Sequence, residues 1–193
     1  MAAMPPLLRA AACALALLPA AAAASTPEPY EGQPGKDVVW VPTPEALVEK
    51  MLDMARVTPG DYVIDLGSGD GRNVIAAALR GANALGIEYD EALVALSRSK
   101  AAAAGVAARA RFVQGDMYEA DISEATVLAL FLLPQNLEVL KPKFERLRPG
   151  TRIVSNGYEI PGWQAVEVGN SDGDCGSWCI AYLYVIPARG DGR

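Results

Sequence analysis

The sequence contains no histidine. That absence excludes the Ser-His-Asp triad, the Cys-His dyad and every histidine-ligated metal centre. Cysteine is nearly as scarce, at three residues, so a zinc site would need carboxylates to complete it, and no metal is expected. Cations are outnumbered: 17 Lys and Arg stand against 23 Asp and Glu, a formal net charge of −6. A surface of that sign is a poor partner for nucleic acid, whose phosphates are neutralised by clustered Lys and Arg. No comfortable membrane span is present either. The longest apolar stretch, Ala10 to Leu18 followed by Pro19 and an alanine run to Ala24, falls short of the about 20 strongly apolar residues a spanning helix needs.

What remains is a chain of 193 residues, long enough for one domain with a real core and a leader. Residues 1–24 combine Arg9, a short apolar stretch and small residues of A-x-A type, the pattern of a signal peptide or anchor with cleavage expected near Ser25. An exported or membrane-tethered protein follows, or a cytoplasmic one if the leader is unused. Residues 25–39 hold Pro27, Pro29, Gly32, Pro34 and Gly35, a linker composition. The domain is expected over residues 40–187, with 188–193 a polar tail.

From Trp40 onward, strand and helix patterns alternate. Thr43-Pro44-Glu45 reads as a helix start with Thr43 as the N-cap, and Leu47, Met51 and Met54 recur at helical spacing. Tyr62 to Leu66 is an apolar strand, Gly67 to Gly71 a tight loop and Asn73 to Leu79 a helix. Ala84 to Ile87 is a second strand. Asp90 caps a helix that Gly105 ends, and Arg111 to Val113 is a third strand. Thr126 to Leu133 is a continuous apolar run, as in a strand buried on both faces. Leu137, Leu140, Phe144 and Leu147 share a helical face interrupted at Pro142. Arg152 to Val154 is a fifth strand, and Val166 to Val168 with Ile180 to Ile186 form a closing antiparallel pair. This order predicts an α/β fold: one doubly wound, mostly parallel seven-stranded sheet closed by an antiparallel hairpin. Ligands of such sheets bind at the carboxyl ends of the strands, at the switch point.

Chemistry-bearing residues gather at those ends. The loop Asp65-Leu66-Gly67-Ser68-Gly69-Asp70-Gly71 has the spacing G-x-G-x-G, with Arg72 where a dinucleotide fingerprint has its last glycine. A pyrophosphate favours helix-start amides free of competing anions, whereas Asp65 and Asp70 suit a cationic ligand with an ammonium and a sulfonium, such as S-adenosylmethionine (SAM). Glu88 ends the second strand, where an acid can accept both ribose hydroxyls. Asp116 ends the third, where a carboxylate can accept from an adenine amino group, and Met117 beside it can face the ring or belong to the core.

In these segments the chain resembles the class I, seven-stranded SAM-dependent methyltransferases, over about Trp40 to Ser155. Val63 to Gly71 is similar to that family's first motif, Glu88 to its ribose-binding acid and Gly115-Asp116-Met117 to its adenine-binding segment. Val41-Pro42-Thr43-Pro44, Phe131-Leu132-Leu133-Pro134 and Arg148 to Ser155 resemble small bacterial relatives of the membrane-anchored mitochondrial protein-lysine methyltransferases, and more distantly the histone-lysine methyltransferases of this fold. The resemblance implies a cofactor set of Thr43, Asp65, Gly67, Ser68, Gly69, Asp70, Gly71, Glu88, Tyr89, Asp116 and Met117. Asn156 departs from the pattern, where a histidine is expected in near relatives. No Asn-Pro-Pro-Tyr segment is present, which speaks against methylation of nucleic-acid amino groups.

Methyl transfer from a sulfonium is an in-line displacement that needs alignment and a dry site more than acid or base, so a chain without histidine suits it. Phe131 can wall a channel for a lysine acceptor, with Pro134 and Asn136 positioning it and Asn156 and Tyr158 on the other side. Phe131 also reads as core packing, and Asn136 as the N-cap of the next helix. The acceptor is therefore open, a protein lysine or a small molecule. Two competing functions are a SAM- or nucleotide-binding protein without transferase activity and an NAD-dependent oxidoreductase. In an oxidising compartment Cys175 and Cys179 are expected to pair, provided the segment between them turns.

Overall fold

The computed structural model describes residues 28–171 and 179–188. The leader, the polar tail from 189 and the Cys175 half of the expected bridge lie outside them. Cys179 itself is buried and disulfide-bonded.

Seven strands form one sheet in the order β3-β2-β1-β4-β5-β7-β6. The first five, β1 (Tyr62–Leu66), β2 (Asn83–Glu88), β3 (Ala110–Gln114), β4 (Val127–Leu130) and β5 (Arg152–Asn156), run parallel. The pair β6 (Glu167–Asn170) and β7 (Ile180–Val185) is antiparallel, with β7 inserted between β5 and β6. Chain order reverses between β1 and β4, which makes their carboxyl ends the switch point.

Side-chain alternation along each strand feeds two cores. In β1, Val63 joins the layer under α1 (Glu45–Met54), α2 (Arg72–Leu79) and α3 (Glu91–Ala103), while Ile64 and Leu66 join the layer under α4 (Pro134–Phe144). All four residues of β4 are buried, as its unbroken apolar run requires. The strand stops at Leu130, however, and Phe131 to Leu133 form the loop into α4.

Three helix boundaries differ from the sequence reading. The N-cap of α1 is Pro44 rather than Thr43, and no side chain caps it. Helix α4 is not interrupted at Pro142; it runs through to Phe144, because a proline in the last turn removes only one N–H bond near an end that frays anyway. Asn136 is not a cap: Leu133 holds that position and Pro134 starts the helix, so Asn136 lies buried in the first turn. Asp90 does cap α3, accepting from Ala92 and Leu93 N–H at 2.8 and 3.3 Å.

The amino edge of the sheet is closed by Asp61. Its carboxylate accepts from Thr58, from the Thr126 hydroxyl at 2.7 Å before β4, and from Arg152 at the start of β5. Burial tends to raise the Asp61 pKa, but these partners outweigh it and hold the carboxyl below its ordinary value. With that edge locked, the carboxyl edge carries the open cleft.

Candidate functional site

The glycine loop takes its shape from backbone conformations that side chains disfavour. Gly67, Gly69 and Gly71 all have positive φ. Two of them also permit close approach. A Cβ on Gly69 would sit 2.5 Å from the Trp40 indole nitrogen, and one on Gly71 would sit 2.6 Å from the Phe112 ring. Gly71 therefore seats α2 against the sheet and does not line the cleft, whereas Gly67, Ser68, Gly69 and Asp70 do. Ser97 on α3 fixes the loop from behind, donating to the Gly69 carbonyl at 2.8 Å.

Four of the carboxylates that line the cleft differ sharply in their partners. Asp65 is buried and accepts only from Asn73 Nδ2 at 3.1 Å, with no cation beside it among the described residues. Burial pushes its pKa well above the ordinary 3.8, and the negative charges of Glu88 and Asp70 push the same way. Asp70 is occupied: Arg72 meets it at 2.8 Å and Lys100 at 2.5 Å. Burial works to raise its pKa, but these two cations hold it below normal. Of the loop's two acids, only Asp65 is left to meet a cationic ligand. Glu88 braces the loop, accepting from Gly69 N–H at 2.8 Å and Asp90 N–H at 2.9 Å. A carboxylate has about four acceptor positions, so Glu88 keeps capacity for hydroxyls. Asp116 accepts from Tyr118 N–H at 2.8 Å and from Lys36 at 2.5 Å.

Lys36 belongs to the stretch that the sequence reads as linker. Residues 28–39 instead cross the mouth of the cleft. Their proline and glycine turns build a strap, closed by a Pro34–Val39 bridge and by Trp40 N–H donating to the Gln33 carbonyl at 3.0 Å. Gln33 reaches Asp90 at 3.0 Å, and Lys36 stands 5.0 Å from the centre of the Tyr89 ring. No periodic signal marks such a segment. The only hint is Trp40, a large apolar residue at its end.

On the other side of the switch point, Phe131 lines the cleft and Thr43 faces it from the strap's end. Asn156, at the end of β5, donates from Nδ2 to Thr43 Oγ1 at 3.2 Å, and Arg72 donates to the Thr43 carbonyl at 2.5 Å. Asn136 lies outside the cleft lining and donates to the Tyr118 hydroxyl at 2.7 Å. Pro134 is exposed at the helix start and does not line the cleft. The Oδ1 atoms of Asn136 and Asn156 are buried with no hydrogen-bond partner. Tyr118 and Asn73 escape a reading of the sequence; both become visible only through their side-chain bonds to Asn136 and Asp65.

The ANTKMT methyltransferase domain matches residues 65–167, over half the chain. The chain belongs to this methyltransferase family. Over 153 residues it is 45% identical to a protein-lysine N-methyltransferase of Saccharolobus islandicus, covering 77% of this chain and 94% of that enzyme. It is 38% identical over 123 residues to the adenine nucleotide translocase lysine N-methyltransferase of Mus musculus, covering 63% of this chain and 53% of that one, so it spans about half of the mouse enzyme. Among solved structures, a Salinibacter ruber protein described as an RNA methyltransferase, bound to S-adenosyl-L-homocysteine (SAH), matches with a TM-score of 0.72 and 44% identity, covering 79% of this chain and 98% of that one.

This methyltransferase uses SAM, and its cleft fits that cofactor. The cleft opens along the carboxyl edge between the strap, the glycine loop and Phe131, the kind of concave place where small ligands bind. Ser68 Oγ and Asn73 Oδ1 are buried in its lining with no hydrogen-bond partner, as groups reserved for a ligand would be. Ile87, Leu93 and Met117 supply an apolar wall. The transferase reading therefore stands over the oxidoreductase and the non-catalytic binder.

Proposed function

We propose that this methyltransferase acts on the side-chain amine of a lysine in a protein. The observation that carries the reading is the chemistry of the acceptor side. Phe131 and Thr43 bring an aromatic ring and a hydroxyl to the cleft, and buried Asn156 holds Thr43 from behind, with no carboxylate or imidazole among the three. A phenol or an alcohol acceptor would want a base. An amine needs only to be neutral and aligned, and a desolvated channel lowers its pKa. The two relatives named above as lysine N-methyltransferases support the same acceptor class.

In this reading Glu88 takes the ribose hydroxyls, Asp116 and Tyr89 the adenine, and Asp65 the ammonium of the methionine end. When bound, the cofactor supplies an electrophilic methyl group on a sulfonium. The chain's own work is positional. Asp65 and Glu88 set the cofactor's depth, while Thr43, held by Asn156 and Arg72, fixes the floor where cofactor and acceptor meet. Phe131 excludes water from the approaching amine. Asn136, buried in the first turn of α4, holds the Tyr118 hydroxyl and acts on the acceptor side only from behind the cleft.

RNA is the alternative acceptor suggested by the Salinibacter relative's description, but a net charge of −6 disfavours a phosphate backbone. Incubating the full chain with methyl-labelled SAM and a cell extract separated into protein and RNA tests this. Label recovered as methyl-lysine is expected; label in RNA, or in another amino acid, overturns it.

The leader is assigned to export or tethering, with the domain facing the compartment that supplies SAM. No helix among the described residues is long and apolar enough to cross a membrane, and residues 1–24 are the candidate anchor. Fractionating cells that express the chain with and without those residues tests this assignment, and identical distributions would overturn it.

A further inference from the structure

Two groups assigned above to the adenine end of the cleft are already engaged by one side chain. Lys36 Nζ lies 2.5 Å from Asp116 Oδ2 and 5.0 Å from the centre of the Tyr89 ring. Asp116 offers the acceptor for an exocyclic amino group, and Tyr89 the face on which a purine would stack. An ammonium occupies both through its charge, on the carboxylate and over the π face. The second Asp116 oxygen is taken by Tyr118 N–H at 2.8 Å. The side chain of Lys36 is 37% exposed and that of Asp116 20%, so the pair sits at the mouth, where water and salt reach it.

Lys36 is not held there by accident of a free tail. Gln33 ties one side of the strap to Asp90 at 3.0 Å, the Pro34–Val39 bridge closes its turn, and Trp40 rests against Gly69. Beyond Trp40 the strap is fixed at Thr43 by Arg72 and Asn156. The strap thus has a firm inner end and an outer end secured by polar contacts at the cleft's rim.

We propose that Lys36 is an internal competitor for the nucleobase end of the cleft, a latch that must leave Asp116 and Tyr89 before the adenine ring seats. Lys36 then sets cofactor affinity from outside the catalytic residues, and cofactor entry is coupled to opening of the strap's outer end. The inference rests on the assignment of Asp116 and Tyr89 to the adenine. Surface charge pairs and exposed cation–π contacts are individually weak, so the expected effect is a tuning of affinity by about threefold to fivefold.

Calorimetric titration of the full chain with SAH and with adenosine tests it. Lys36→Ala is expected to bind both about threefold to fivefold tighter than the wild type, whereas Lys36→Arg, which keeps the cation, is expected to bind as the wild type does. Raising the salt concentration is expected to narrow the gap between wild type and Lys36→Ala, because screening weakens the latch. Without any ligand, hydrogen exchange at the Trp40 N–H is expected to be faster in Lys36→Ala. Unchanged or weaker SAH binding by Lys36→Ala overturns the proposal, as does tighter binding by Lys36→Arg or unchanged exchange at Trp40. The cofactor placement is checked separately by Glu88→Ala: if that variant binds SAH like the wild type, the placement fails rather than the latch.

Discussion

The two halves of the sheet's carboxyl edge are built from opposite materials. At the ends of β1 and β2, and just beyond β3, stand Asp65, Glu88 and Asp116, one acid per strand. At the ends of β4 and β5 stand Phe131 and Asn156, with Thr43 bonded to Asn156, and none of the three titrates near neutral pH. In the proposed placement the first half recognises by charge, which suits a ligand that carries ammonium, hydroxyl and amino groups at fixed spacing, and the second half only shapes and desolvates. A displacement at a sulfonium methyl needs no more from it, and a chain without histidine loses nothing by that division.

The comparison can be broken most forcefully at Asp65. Asp65→Ala should weaken SAM binding by about a hundredfold, or roughly 2.7 kcal/mol, since among the described residues it removes the one buried acid without a cation; a change below about tenfold, read by calorimetry, would mean the ammonium lies elsewhere. Glu88→Ala should cost about tenfold, or roughly 1.4 kcal/mol. Across the switch point the pattern should invert. Asn156→Ala and Phe131→Ala should lower kcat on the acceptor by about tenfold while leaving SAM affinity within about twofold, and single-turnover rates together with binding constants separate the two effects. Asp116→Ala should weaken SAM binding least among the acids, by about threefold or less, because losing the acceptor also frees the Lys36 that competes for it; a loss exceeding that of Asp65→Ala would reverse the orientation of the ligand.

A last test sharpens the same contrast through pH. The Asp65 pKa is raised in the folded state, so the folded protein holds a proton that the unfolded chain gives up near 3.8. Stability from this group is complete below that value and is lost as pH rises through the raised folded pKa. Asp65→Asn removes the penalty. Thermal melts of the ligand-free variant should therefore show a higher Tm than the wild type at neutral pH, and the gap should close as pH falls toward the ordinary carboxylate range. An equal gap at all pH values would assign the effect to packing instead.

Much of this architecture is legible in the sequence. The alternation of strands and helices points to the sheet because buried parallel strands leave unbroken apolar runs, as in Val127 to Leu130. The residues proposed for the cofactor stand out in the sequence because they are compressed into a loop of seven residues and two strand ends, which the structure brings to one cleft. The acceptor half does not. Asn136 is a common N-cap residue, and only the observed start of α4 at Pro134 shows it inside the helix and buried. The strap is hidden for a different reason. Proline and glycine between residues 27 and 35 describe a linker and a tight bridged turn equally well, and what distinguishes them is contact with Asp90, Asp116 and Gly69, distant in the chain. Asp70 reads as free for a ligand because Lys100, the second of its two cationic partners, comes 30 residues later, near the end of α3.

The position of β7 has a consequence for synthesis. Because β7 lies between β5 and β6 rather than at the sheet's edge, a nascent chain can assemble the five parallel strands as they emerge but must keep one flank of β5 unpaired until residues 180–185 have left the ribosome. The flank left waiting belongs to the strand that carries Asn156. The cofactor half can thus be in place while the acceptor half is still open, and the enzyme becomes competent only with its last strand.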